Sequence, residues 1–219
     1  MENAIIGKRR RGRPPKGDGD YNKTREALLR GGLEVLTEKG FSASGIDEIL
    51  RRVAVPKGSF YHYFASKEAF GVELIDCYAA YFARKIDSSL TDVSLPPLER
   101  LRAFVADAAD GMARHGFQRG CLVGNLGQEM GALPEIFRDR LNGAFADWQR
   151  RLSQCLVAAQ EAGEIPREAD CEKLAVIFWI GWEGAVLRAK LEQEAEPLRI
   201  FVEFYLAGIT SPLLCPGSE

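Results

Sequence analysis

The sequence predicts an all-α fold, with a three-helix helix-turn-helix head in front of a larger helical domain. Three observations carry that prediction. Apolar residues recur at helical spacing along most of the 219 residues, and no convincing strand appears. The run from Val53 to Phe70 packs two helix starts and a tight turn into a very short span. Charge is also divided along the chain. Residues 1–70 hold 14 Lys and Arg against 9 Asp and Glu, while the remainder holds 15 against 22, within an overall net charge of −2.

Residues 1–22 contain Lys8-Arg9-Arg10-Arg11-Gly12-Arg13-Pro14-Pro15-Lys16 and no apolar periodicity, so they read as a basic disordered arm. The head follows over 23–66. Its first helix runs from Lys23 to Lys39, with Leu29, Leu33 and Leu36 on one stripe and Leu28 and Val35 beside them, and Gly40 caps its end. Within it, Gly31-Gly32 lowers intrinsic stability but permits close helix packing. A short helix over 45–53 places Ile46, Ile49, Leu50 and Val53 at helical spacing. Ala54-Val55-Pro56 breaks it, because proline lacks an amide proton and pushes its predecessor out of the helical region. A second short helix over 57–63 completes the unit, whose second helix is the one that enters a DNA major groove.

Ser66 suits the N-cap of a long helix over about 67–90, with Phe70, Leu74, Ile75, Tyr78, Phe82 and Ile86 on its apolar side. Further helices are expected from Pro97 to about Arg114, from Leu122 to about Gly131, from Pro134 to about Ala162, and over 171–192 and 197–210. A loop at 115–120 and a turn at 163–170 separate them. These helices form a second domain over 67–211, and residues 212–219 read as a flexible tail.

Composition narrows the function classes. Hydrophobic residues at 46% and charged residues at 27% fit a globular protein, and no apolar run approaches the roughly 20 residues that span a bilayer. The basic N-terminus lacks the apolar segment of a signal peptide, and five irregularly spaced cysteines do not form a disulfide framework. A cytoplasmic location is therefore expected. Two histidines and scattered cysteines offer no metal spacing, there is no glycine-rich phosphate loop, and Cys121 with His115 has no orienting third group. Neither an enzyme nor a cofactor is expected. A basic front and an acidic rear fit a protein whose head alone faces a polyanion; chance unevenness of surface charge is the competing explanation.

The residues Lys57-Gly58-Ser59-Phe60-Tyr61-His62-Tyr63-Phe64, followed by Ser66-Lys67-Glu68, resemble the signature of the TetR family of bacterial repressors. The resemblance implies recognition of double-stranded operator DNA by the helix from Lys57. Lys57, Ser59, Tyr61 and His62 would reach bases or phosphates, with Ser59 and His62 on one face, while Phe60 and Phe64 anchor the helix. Gly58 and Lys67, at helix starts, would bind phosphate through backbone amides. For Tyr61 and His62 the alternative is simple packing. Arg10, Arg11 and Arg13 of the arm form a separate signal: Arg11-Gly12-Arg13-Pro14 resembles a minor-groove AT-hook core, with a generic basic tail as the alternative.

The second domain resembles one branch of that family, whose repressors answer to acrylate or to electrophiles. The most specific segments are His115–Phe117, Arg119–Met130 and Phe178–Lys190. The implied protein is a homodimeric, ligand-responsive repressor whose second domain binds the effector and dimerises. Cys121 is the foremost effector residue: a helix start, Arg119 and Lys190 would all favour its thiolate. A small buried hydrophobe is the competing reading of Cys121. Asn125, Gln128, Glu129, Glu183, Arg188 and Lys190 are polar groups in apolar segments, with Arg188 or Lys190 suited to a carboxylate. Trp148, Trp179 and Trp182 would wall a cavity or serve as core or dimer packing. In the last two helices Leu174, Ile177, Phe178, Gly181, Ala185, Ile200, Phe201, Phe204 and Tyr205 would pair with their twins, with Gly184 easing close approach. A DNA-binding architectural protein would not need this long acidic domain, and a cysteine-based redox or electrophile sensor would share the head but change the input.

Overall fold

A computed structural model describes residues 18–211. The arginines at 10, 11 and 13 and the tail at 212–219 lie outside the described residues. Among those described the protein is helical throughout, without strands. The head comprises α1 (Asp18–Lys39), α2 (Ile46–Arg52) and α3 (Phe60–Tyr63), the last preceded by a 3-10 turn at Lys57–Ser59. The second domain comprises α4 (Lys67–Leu90), α5 (Pro97–Ala113), α6 (Leu122–Gln128), α7 (Glu135–Glu161), α8 (Cys171–Glu192) and α9 (Glu196–Thr210).

Helix α1 begins five residues earlier than the apolar pattern indicates. Its first turns are held by tertiary contacts: Tyr21 packs on Tyr63, ring centroids 4.7 Å apart, and Arg25 pairs with Glu73 of α4. The recognition segment also differs from the single helix expected over 57–63, being a 3-10 turn and then one α-helical turn. So short a helix cannot sustain itself. Phe60 and Phe64 hold it instead, both buried against Phe70 of α4, with centroids 5.2 and 4.6 Å away. In the turn between α2 and α3, Ala54 adopts φ +54°, a left-handed conformation that opposes its Cβ.

Gly31 and Gly32 lie where helices meet. A Cβ on Gly31 would sit 2.5 Å from Val53, and one on Gly32 would sit 2.5 Å from Phe70. The pair therefore seats α1 against both α2 and α4. Helix α4 then runs back from the head into the second domain, where it packs mainly on α5 and α7. Ser66 caps its start by accepting the Ala69 amide at 3.1 Å.

Behind the head, a continuous aromatic core joins Phe82, Trp148, Trp179, Phe178, Trp182 and Phe104, each ring within about 6 Å of the next. Helix α6 ends at Gln128, three residues short of Gly131. A 3-10 turn at Met130–Ala132 and Pro134 follow, so the chain redirects before α7 begins.

In an open helix interior, Gly→Ala stabilises by about 1 kcal/mol. Gly32→Ala is expected to reverse that sign and destabilise by about 1–3 kcal/mol, because the aromatic ring of Phe70 occupies the space. Urea unfolding at fixed protomer concentration measures it, and a stabilised variant would contradict this packing.

Candidate functional site

The end of α1 is held by the second domain. The last carbonyls of a helix have no partner within it. Here the Thr37 carbonyl accepts from the Gly120 amide at 3.3 Å, the Asn125 amide group at 3.0 Å and the Lys190 ammonium at 3.2 Å. Lys190 also donates to the Glu38 carbonyl at 2.9 Å. Just past the helix, the Phe41 and Ser42 amides donate to the Glu129 carboxylate at 3.0 and 2.8 Å. Side chains complete the joint. Arg119 from the preceding loop and Arg52 from α2 both reach Glu38, which holds its carboxyl below the usual range, chiefly through the Arg52 hydrogen bond.

Beside this joint lies an open cavity of about 500 Å³. Its walls come from both domains: Leu33 and Thr37 of α1, Tyr78 and Phe82 of α4, Met112 of α5, and Trp182 and Val186 of α8. Arg30, Lys85, Arg114 and Arg119 bring cationic groups to its lining, with His115 among them. Cys121 contributes from the N-cap of α6, where its sulfur accepts the Gly124 amide at 3.5 Å.

Cys121 is 6% exposed and has two acidic groups beside it. These neighbours are the Glu183 carboxylate and the Tyr78 phenol. Burial and the Glu183 charge push the thiol well above its ordinary value, the reverse of the thiolate expected from sequence. The cations assumed to stabilise it are committed elsewhere: Arg119 pairs with Glu34 and Glu38, and Lys190 caps α1. With seven residues, α6 is also too short for a strong dipole. Glu183 is partly exposed as a residue, but its Oε1 is buried and has no hydrogen-bond partner. Burial pushes its carboxyl up to about 7. Gly124 gives it room, since a Cβ there would collide with the carboxylate.

On the head, Tyr61 is 67% exposed, and His62, Lys57 and Gly58 are exposed around it. Lys57 pairs loosely with Asp47 at 2.7 Å on the same surface, and Ser59 is half-buried. The Lys67 ammonium is not free for phosphate: it donates to the Phe41 carbonyl at 2.9 Å and lies 4.2 Å above the Phe41 ring, with burial lowering its pKa.

Comparison with known proteins now fixes the class. Residues 28–74 match the model for "Bacterial regulatory proteins, tetR family", and residues 97–205 match "Tetracyclin repressor-like, C-terminal domain". The transcriptional regulator AcuR of Cereibacter sphaeroides is 56% identical over 198 residues, covering 90% of each chain. The chain belongs to the TetR family of bacterial regulators. The repressor DhaR of Mycobacterium sp. strain GP1 is 36% identical, over 81% of this chain and 88% of its own. The repressor NemR of Escherichia coli K12 is 33% identical, over 80% and 88%. A crystal structure of a regulatory protein TetR from Rhodobacter sphaeroides superposes with a TM-score of 0.82 at 56% identity, covering 83% of this chain and 96% of that one. The reduced form of E. coli NemR superposes with a TM-score of 0.76 at 31% identity, covering 84% and 95%. This TetR-type chain is a transcription regulator rather than an enzyme. No described helix is long and apolar enough to cross a membrane.

Of the residues singled out from sequence for effector contact, the structure brings Cys121 and Trp182 to the cavity and Glu183 directly behind it. Asn125, Glu129 and Lys190 instead form the joint at α1. Gln128 is exposed outside the cavity, and Arg188 is exposed and paired with Glu192 at 2.6 Å. Trp148 is fully buried in the aromatic core, its indole N–H unpartnered, and Trp179 packs against it. The lining residues Tyr78, Phe82 and Met112 were missed as site residues, because their helical spacing reads as ordinary core.

The raised carboxyl of Glu183 makes a pH prediction. Between about pH 4.5 and 7 the folded protein keeps this proton and the unfolded chain does not, so the group's contribution to stability falls as pH rises through that window. Glu183→Gln removes the effect. Its stability relative to the natural protein should therefore climb by up to roughly 3 kcal/mol from about pH 5 to 8. Paired denaturant titrations across that range test it, and a flat difference would contradict the buried placement.

Proposed function

We propose that the protein is a dimeric repressor released from operator DNA when a small unsaturated metabolite, acrylate or a related compound, enters the cavity above Cys121. The observation that carries this reading is the shared cavity wall. Leu33 and Thr37 belong to the helix that seats the recognition segment, while Tyr78, Cys121 and Trp182 belong to the domain behind it. An occupant therefore touches both sides of the joint. Acrylate comes from the resemblance of residues 115–130 and 178–190 to the acrylate-responsive AcuR, and the 56% identity supports it. Arg30 and Arg114 in the lining suit a carboxylate, whereas Lys85 and Arg119 are paired with Asp107 and with Glu34 and Glu38, and the apolar wall suits the vinyl group. The volume also admits larger unsaturated acids.

DNA contact falls to Lys57, Gly58, Ser59, Tyr61 and His62, with the backbone at Lys67 beside them and Arg10, Arg11 and Arg13 reaching a minor groove. Two heads would be set roughly 34 Å apart by dimerisation. The apolar face for this lies on α8 and α9: Ile180 is 71% exposed and Phe204 82% exposed, with Ile177, Leu187, Leu191 and Ile200 around them. This corrects the sequence-based interface in part. Phe178, Ala185 and Tyr205 are buried within the protomer, and Gly181 packs on Phe201 of its own chain, whereas Gly184 lies on the open face.

A second reading, an electrophile- or redox-sensing repressor, draws on the placement of the Cys121 thiol in the cavity lining. Fluorescence anisotropy of labelled DNA from upstream of the protein's own gene separates the two. Acrylate is expected to release the protein. Release that survives in Cys121→Ser marks non-covalent binding. Release by maleimide or hypochlorite alone, dependent on Cys121, would transfer the function to the second reading.

Dimerisation has its own test. Ile180→Asp with Phe204→Asp should give a folded monomer by analytical ultracentrifugation and weaken operator binding by at least about tenfold, because one head then addresses one half-site. A double variant that stays dimeric would place the interface elsewhere.

A further inference from the structure

Cys121 poses a chemical problem for any covalent input. Among the described residues no cation is paired with its sulfur, Arg119 and Lys190 being engaged at Glu38, and its acidic neighbours are a carboxylate and a phenol. Such a thiol holds little thiolate to attack with. Yet the carboxylate of the neighbouring Glu183 has a buried Oε1 without any hydrogen-bond partner. Unpartnered buried oxygens of this kind are rare because the loss of hydration is unfavourable. Gly124 leaves the space this carboxylate occupies, and the Cys121 Cβ borders the same point at 3.7 Å. Tyr78, the other acidic group beside Cys121, lines the same cavity. Cys121 and Tyr78 thus line the cavity together, with the Glu183 carboxylate packed against Gly124 next to Cys121.

We infer that Glu183 is the proton acceptor for Cys121, so that the buried thiol adds to small α,β-unsaturated carbonyl compounds by general-base catalysis rather than as a standing thiolate. In the step, a C–S bond forms between Sγ and the β-carbon of the acceptor while the S–H bond breaks and its proton passes to the Glu183 carboxylate. The π electrons move to the α-carbon and carbonyl oxygen, and that carbanion takes a proton from the Tyr78 hydroxyl or from water. A thioether results and nothing is oxidised or reduced. The titratable groups facing Glu183 are Cys121 from the start of α6 and, through it, Tyr78 from α4; Lys190, two turns along α8, is turned to the α1 carbonyls. A base poised near neutrality is what such a transfer requires.

This inference rests on the reading that the effector enters this cavity, and the test separates the two. Full-length protein is treated with methyl acrylate, an uncharged acceptor, from about pH 5.5 to 9, and addition at each cysteine is followed by peptide mass mapping. The rate at Cys121 should rise as Glu183 loses its proton and then level off. Glu183→Gln should react roughly a hundredfold more slowly near pH 7.5 and track hydroxide without a plateau. Equal or faster addition in that variant would overturn the role of Glu183. Should the variant fail to fold by circular dichroism, a natural-protein rate that rises tenfold per pH unit throughout would overturn it as well. Absence of addition at Cys121 while exposed Cys77 reacts would also overturn it. Acrylate release in Cys121→Ser would leave the cavity reading intact in every case.

Discussion

The end of α1 is the joint on which the rest of the molecule depends. A helix leaves its last carbonyls without partners, and in a buried setting each must find a donor. Here none of the decisive donors belongs to the head. Gly120, Asn125 and Lys190 arrive from the second domain, and Glu129 takes the two amides that follow. Breaking this contact would strand buried polar groups on both sides. The head is therefore positioned by backbone hydrogen bonds whose other ends sit on α6, α8 and the loop before α6. Because Asn125 lies on α6 and Glu129 is its C-cap, a small shift of that one helix acts on both together.

The same economy places the chemistry. Cys121 is the residue that starts α6, so its sulfur is at once a cap for that helix and part of the cavity lining. Helix α4 carries a parallel connection. Phe70 supports the recognition segment, and Tyr78 and Phe82, about two and three turns further on, line the cavity. Two routes thus lead from one cavity to the head, one through the cap of α6 and one along a rigid helix. Both begin at residues that line the cavity with Cys121.

Much of this was legible in the sequence, and what was not has physical reasons. Helix periodicity located the elements, and Pro56, Ser66, Pro97, Pro134 and Gly40 marked their ends because proline, serine and glycine act locally. Local rules could not extend α1 back to Asp18, since contacts of Tyr21 and Arg25 with other elements hold that turn. Polar residues in apolar segments stand out in the sequence as candidate contacts. Spacing alone does not tell which way such a side chain faces. Asn125, Glu129 and Lys190 looked like ligand contacts and are structural donors and acceptors for backbone. Arg188 and Gln128 point to solvent. The thiolate expected at Cys121 failed for the same reason: Arg119 and Lys190 are near in sequence pattern but are neutralised or engaged at Glu38 and the α1 carbonyls. The cavity aromatics stayed invisible because an aromatic at helical spacing has the same pattern whether it fills a core or borders a void.

Release of DNA requires that the effector bind one arrangement of the heads better than the other; tight binding to both would move nothing. The joint sets the energy scale for that difference. A hydrogen bond from a charged donor such as Lys190 contributes about 1.5–3 kcal/mol, and leaving a buried carbonyl without a partner costs about 1–3 kcal/mol. Coupling between allosteric sites is typically about 1–3 kcal/mol. The gain or loss of a single contact at Thr37 or Glu38 is therefore as large as the whole coupling a ligand must supply. Cys121 lies one residue from Gly120 and four from Asn125, two of the three donors to Thr37. An occupant that displaces the sulfur by a fraction of an ångström already acts on that contact, without any need for a long path through the core.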